Sequence, residues 1–227
     1  MRSVAVLLCA LLILSWLPNT SASAAERWSL PAGQQGWRIL KVPGVAANRF
    51  RVQEQVLEIQ SAGSASFRYL ELPSALTQPT QVSWDWRVEQ HSPLSTQTAA
   101  GQDDRPLAVH IWFEDTTDGS LFGTLGTLFG YPKVGRLMTY VWGAEEPAGS
   151  ILPNPHYAKG KVFVLVGDDG RKGQWQTVRR DIAQDYQRAF GQQPDLKSLR
   201  YVAVSADSDD LNGYSTAAIR ALSFISP

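Results

Sequence analysis

The strongest constraint on this chain is a stretch of strictly alternating side chains at 82–89. Val82, Trp84, Trp86 and Val88 share one parity, while Ser83, Asp85, Arg87 and Glu89 share the other. A period of two sends successive side chains to opposite faces of an extended strand, so the indoles point to a core and the charges to water. The pattern recurs downstream. Leu107, Val109, Ile111 and Phe113 oppose Ala108, His110, Trp112 and Glu114, and Met138, Tyr140 and Trp142 make a third apolar face. Residues 162–166 are apolar at every position, as in a strand covered on both sides. Further strands are predicted near 50–59, 67–72, 175–178, 201–205 and 217–225, with turn-forming residues at 167–170 and 209–213.

A helix interrupts this series. Ile182, Tyr186 and Phe190 recur four residues apart, Gly191 stands at the C-cap position, and Pro194 follows. A second helix is suggested at 120–129, although Gly123 and Gly126 would each cost about 1 kcal/mol relative to Ala. About nine short strands with one or two short helices predict an all-β fold, a single jelly-roll-like antiparallel β-sandwich. No internal repeat or long linker divides the chain, and 92–101 is expected to be a polar loop between strands.

The first 24 residues form an address. Arg2 precedes an apolar run at 4–17, Pro18 ends it, and Ala22-Ser23-Ala24 has the small-x-small form of a cleavage site. These features together predict a signal peptide at 1–24, since the run is shorter than the roughly 20 residues needed to span a bilayer. The expected product is a single β-sandwich domain at 25–227, periplasmic or secreted. Cys9 lies in the leader, so 25–227 contains no cysteine. That excludes a thiol nucleophile, a thiolate zinc site and a redox pair. The 21 Lys and Arg balance the 21 Asp and Glu, so the clustered basic excess of a nucleic-acid binder is missing.

No nucleophile elbow, metalloprotease helix, phosphate loop or dinucleotide fingerprint is present. Binding without catalysis is therefore the leading expectation. His91, His110 and His156 are widely spaced, and His110 is expected to be an ordinary hydrogen-bonding strand residue. The segment 207–213 is rich in Asp and Asn, and Asp207, Asp209 and Asn212 are the candidate ligands for a calcium ion, which takes six to eight oxygens. EF-hand spacing fails at Leu211 and Ala218, and an Asp-rich turn is the competing reading. Trp112 stands on the face opposite its apolar neighbours, where an indole requires a second covering layer or a ligand. Asp85, Arg87, Asp103, Asp104 and Trp112 are thus the candidate surface for a polar ligand such as a glycan, with ion pairing of Arg87 to a neighbouring acid as the alternative. A second function is hydrolysis of envelope carbohydrate by two of Asp85, Asp103, Asp104, Asp207 and Asp209, which needs a separation of roughly 5–9.5 Å. A third is a structural or partner-binding envelope protein docking through 121–131.

Several short motifs follow in order: Trp84-Asp85-Trp86-Arg87-Val88, Asp103-Asp104, Tyr140-Val141-Trp142-Gly143, Gly173-Gln174-Trp175, Asp185-Tyr186 with Phe190-Gly191, and Asp207-Ser208-Asp209. Together they resemble the bacterial exported family known as domain of unknown function 3047, over about residues 28–226. The resemblance implies a sandwich of the kind used by carbohydrate-binding modules, and it brings no established activity. It points to Trp86, Arg87, Asp103, Asp104, Tyr140, Trp142, Asp185, Asp207 and Asp209 as matching positions, which adds Trp142 to the candidate ligand-binding residues. Ala108 stands where the pattern expects Arg, Leu211 where it expects Thr, and 115–136 is longer than usual.

Overall fold

The computed structural model describes residues 25–76, 78–114, 132–167 and 171–226. The predicted signal peptide, the suggested helix at 120–129 and the docking segment 121–131 lie outside the described residues. Among the described residues, thirteen strands form two stacked sheets, accompanied by one α-helix. The six-stranded sheet runs β11 (Gln176–Asp181), β6 (Gln81–His91), β13 (Tyr214–Ser226), β4 (Val56–Ala62), β3 (Arg49–Gln53), and β1 (Glu26–Ser29) pairs with the far end of β13. The seven-stranded sheet runs β2 (Arg38–Lys41), β5 (Ala65–Glu71), β12 (Leu199–Asp207), β7 (Arg105–Phe113), β8 (Leu137–Trp142), β10 (Gly160–Val166), β9 (Ile151–Pro153). The chain steps between sheets from β4 to β5, β6 to β7 and β12 to β13, which gives the expected jelly-roll-like sandwich. Its ladders are antiparallel except for β8 and β10, which run parallel. No helix among the described residues is long and apolar enough to cross a membrane.

Alternation becomes burial as expected. Val82, Trp84, Trp86 and Val88 are all buried in β6, and they meet Leu107, Val109, Ile111, Met138, Tyr140 and Trp142 from the other sheet. Trp84 packs with Trp86 and with Tyr140, each at 5.5 Å between ring centroids. Each such aromatic contributes roughly 1.5–3 kcal/mol through burial. Strand β7 is buried along its whole length, so both of its faces are covered. The predicted helix is present as α1 (Ile182–Phe190), with Asp181 capping its start by accepting from the Gln184 N–H at 2.8 Å and Gly191 closing it at φ 71°. Inside the core, the Tyr140 hydroxyl donates to Asp185 at 2.9 Å, and Arg180 pairs with the same carboxylate.

The region 50–59, read as one strand, is two. Glu54 and Gln55 both take positive φ, 49° and 68°, and turn β3 back onto β4. Strands β1, β2 and β9, which the alternation does not reveal, are three or four residues long and mostly exposed or half-buried.

Candidate functional site

The side chains of β7 that point away from the core build a pocket. His110 and Trp112 lie on the outer face of the seven-stranded sheet, beside Phe67 from β5, Ser205 from β12, and Leu137 and Thr139 from β8. The pocket has a volume of about 240 Å³. One end is apolar. Trp112 is 1% exposed, packed by Phe67, Tyr69 and Tyr201 at centroid distances of 5.9 to 6.2 Å. The Tyr157 hydroxyl anchors this end by pointing to the carbonyls of Val134 and Gly135 at 2.9 and 2.7 Å. Trp112 therefore faces outward, and its covering layer is a set of neighbouring aromatics that leaves it lining the pocket.

The floor is a row of hydroxyls bridged by one imidazole. His110 Nδ1 lies 3.0 Å from Thr139 Oγ1, and Nε2 lies 2.8 Å from Ser205 Oγ. Burial, reinforced by the charge of Arg105, holds His110 well below the usual histidine range. The ring is neutral, so it donates to one hydroxyl and accepts from the other. The expected hydrogen-bonding role is thus present, at a position within the pocket.

The other end is charged. Arg105, at the start of β7, donates to Asp103 Oδ2 at 3.3 Å, to Asp207 Oδ2 at 3.1 Å and to Gln97 Oε1 at 3.3 Å. Asp103 is fully buried, and its other oxygen meets His156 Nε2 at 2.7 Å. Gln97 lies in the polar loop 92–101, where its amide donates to the Asp104 carbonyl at 3.0 Å. Asp207, Asp209 and Asp210 line the pocket here. Burial pushes the Asp207 carboxyl well above its ordinary value, with Arg105 opposing the rise and the nearby Asp209 and Asp103 adding to it. Burial also raises Asp104, against the pull of backbone N–H groups from Leu211 and Asp210, and it raises Asp210.

The single candidate surface expected from the sequence is divided. Asp103 lies beside the pocket and Trp112 within it, whereas Asp85 and Arg87 lie on the outer face of the other sheet, across the sandwich. There Asp85 accepts from Thr177 Oγ1 at 2.7 Å and from Arg220 Nε at 3.2 Å, and Arg87 pairs with Glu89 at 2.5 Å. Both Arg87 and Arg220 stack on Trp175, at 4.7 and 4.1 Å. Ion pairing, the alternative for Arg87, is what the geometry contains. Trp142 points into the inter-sheet core and packs on His91 at 5.4 Å, so it does not line the pocket.

Asp104 is committed to the turn after β12, accepting from the N–H groups of Asp210 and Leu211 at 3.0 and 3.1 Å. Asn212 adopts φ 50° in that turn, so the Asp-rich turn reading describes this segment. Of the expected calcium ligands, Asp207 accepts from Arg105 and Asp209 stands beside Asp104 and Asp210. Among the described residues, the groupings with ligand atoms within 4.8 Å are Asp104, Asp209 and Asp210, and Asp103, His156 and Asp210. Asp207 belongs to neither because its carboxylate is drawn to Arg105 across the β7–β12 ladder. Sequence reasoning did not single out Arg105, Ser205, Thr139, Phe67 or Tyr157. The outward parity of Phe67 and Ser205 was readable once their strands were placed, while the Arg105–Asp207 contact, 102 positions apart, carries no local pattern.

In fold, the chain is similar to the family 11 carbohydrate-binding module of the cellulase Lic26A-Cel5E of Clostridium thermocellum, at 10% identity and TM-score 0.48, covering 91% of this chain and 97% of that one. It is similar to the xyloglucanase domain of NopAA from Sinorhizobium fredii, solved with cellobiose, at 11% identity and TM-score 0.47, covering 88% and 98%. A family 29 carbohydrate-binding module from Piromyces equi matches at 8% identity and TM-score 0.38, covering 90% and 93%. With TM-scores below 0.5, these likenesses carry no conclusion about function. No curated protein matches the sequence. Residues 35–223 match the family described as "Protein of unknown function (DUF3047)", in agreement with the motif order in the sequence, and the chain belongs to that family.

Proposed function

We propose that this protein is an exported β-sandwich that binds a hydroxyl-rich ligand, a glycan, in the pocket on the outer face of its seven-stranded sheet. The carrying observation is the pocket's division into an aromatic end and a polar end. Half-buried Phe67 and Tyr157, backed by the buried indole of Trp112, offer apolar ring surface, and the His110-linked hydroxyls and the Asp207 carboxyl group supply donors and acceptors along the same pocket. A sugar ring has that same division, with C–H faces that pack on aromatic rings and hydroxyls that both donate and accept. A volume of about 240 Å³ lies below the roughly 300–1,000 Å³ of pockets that enclose drug-sized molecules. The pocket therefore suits one ring of a chain rather than a long segment.

Neutral His110 gives the floor a fixed polarity. The hydroxyl that accepts from the ring keeps its own hydrogen for a ligand, and the one that donates to the ring keeps only lone pairs. Affinity electrophoresis through polysaccharide gels tests the reading. Retardation by at least one polysaccharide is expected, and Phe67→Ala, which removes a half-buried pocket wall, abolishes it. Unretarded migration in every gel refutes glycan binding. Export is tested separately by N-terminal sequencing, with Ala25 expected as the first residue of the processed protein.

A further inference from the structure

The charged end of the pocket narrows the ligand class. This inference rests on the reading of the pocket as a glycan site. Asp207, Asp209 and Asp210 line that end, and Arg105 is the guanidinium set against them. The terminal nitrogens of Arg105 already donate to Asp103, Asp207 and Gln97, while its buried Nε has no acceptor among the described residues. His156 is turned to Asp103. Of the two Asp207 oxygens, Oδ2 accepts from Arg105, while Oδ1 is buried with no hydrogen-bond donor among the described residues, and the Asp209 carboxyl stands close to the same side chain. An unmatched carboxylate oxygen in a partly dry site is costly unless a donor reaches it.

The strongest donor for such an oxygen carries positive charge, because charge-assisted hydrogen bonds are roughly twice as strong as neutral ones. From these contacts we infer that the pocket selects a sugar bearing a free ammonium group, of the glucosamine type, over neutral or acidic sugars. The ammonium sits at Asp207 Oδ1 with Asp209 beside it, and the ring lies toward Phe67 and Tyr157. An acidic sugar would bring a carboxylate to an end where three carboxylates already face one committed cation. An N-acetylated sugar would offer a single neutral N–H in place of three charged donors.

Isothermal titration of the processed protein at about pH 6 separates the outcomes; an arriving ammonium favours the ionised form of Asp207 against the burial that raises it. The probes are a glucosamine tetramer, its N-acetylated counterpart, cellotetraose and a galacturonic acid tetramer. The expected result is at least tenfold tighter binding of the amine-bearing tetramer than of the two neutral ones, with the acidic one weakest. Asp207→Asn, which keeps the shape, reduces the preference to less than threefold, and Asp209→Asn reduces it partially. Equal or tighter binding of a neutral tetramer overturns the inference while leaving the glycan reading standing. An unchanged preference in both variants also overturns it, because the ammonium is then read elsewhere. Failure of all four probes, together with unretarded migration in polysaccharide gels, overturns the glycan reading itself and the inference with it.

Discussion

Replacing Arg105 with Met removes the buried cation while keeping a flexible apolar stem of similar reach. The guanidinium donates to Asp103 and Asp207 at 3.3 and 3.1 Å and to Gln97 at 3.3 Å, and its side chain is 6% exposed. Without it, fully buried Asp103 keeps the contact to His156 and loses the guanidinium. Removing one partner of a buried ion pair costs about 3–5 kcal/mol. The contact distances are at the long end of the range and the Asp207 side chain keeps 17% exposure, so the lower figure, about 3 kcal/mol at neutral pH, is expected. For a domain of this size that corresponds to a fall in Tm of about 6–12 °C.

The deficit should depend on pH, with a definite sign. Asp207 is raised by burial, and Arg105 opposes that rise; the variant therefore holds its Asp207 proton to higher pH. A carboxyl whose folded value lies above its unfolded value contributes stability at low pH that is lost as pH rises from about 4 through the folded value. Burial and Arg105 both hold His110 down, so without Arg105 the folded protein accepts a proton there more readily in acid. Both effects make the Arg105→Met deficit smaller at about pH 5 than at about pH 8. Urea unfolding followed by tryptophan fluorescence at the two pH values gives both numbers. A loss below about 1 kcal/mol at pH 8, or a deficit that grows on acidification, would refute the role given to Arg105.

Two further outcomes follow from the same residues. In the wild type, the unfolded chain takes a proton on His110 as pH falls below about 6.5 while the folded chain resists, so stability declines there. His110→Gln should flatten that part of the Tm-versus-pH curve, by as much as about 1.4 kcal/mol per pH unit, and superimposable slopes would contradict the assignment. Adding a strong calcium chelator should leave Tm unchanged, because both oxygens of Asp104 are engaged by backbone N–H groups and Asp103 and Asp207 share Arg105. A drop of several degrees that calcium reverses would instead place an ion among Asp104, Asp209 and Asp210.

The inter-sheet core was legible because its largest members announce themselves by parity. Trp84 and Trp86 two positions apart, bracketed by Val82 and Val88, leave one consistent orientation for β6. Parity failed where a strand was short and lay mostly exposed, as in β1 and β2, since no buried face disciplines their sequence. The β3–β4 hairpin was invisible for a different reason. Its turn uses Glu54 and Gln55 at positive φ, where Asn or Gly would normally signal the reversal. For the pocket, Trp112 was identified as facing away from its apolar neighbours, but Asp85 and Arg87 were grouped with it. Parity assigns a side chain to a face of its own sheet and says nothing of which sheet that is. Arg105 was overlooked because its partner Asp207 is supplied by pairing of distant strands, a contact fixed only when the sandwich closes.

Strand β13 is flanked by β6 on one edge and by β4 and then β1 on the other, yet it is the last strand of the sandwich in chain order. During synthesis, β4 and β6 are therefore made long before the neighbour they share. Until it arrives, two sheet edges and the inward indoles of β6 stay unsheltered. Pairing between such distant segments is slow because the loop must close before any contact rewards it. The six-stranded sheet consequently closes only once β13 has been made, rather than piece by piece. If the protein is exported unfolded, as proposed, that delay is built into the position of one strand.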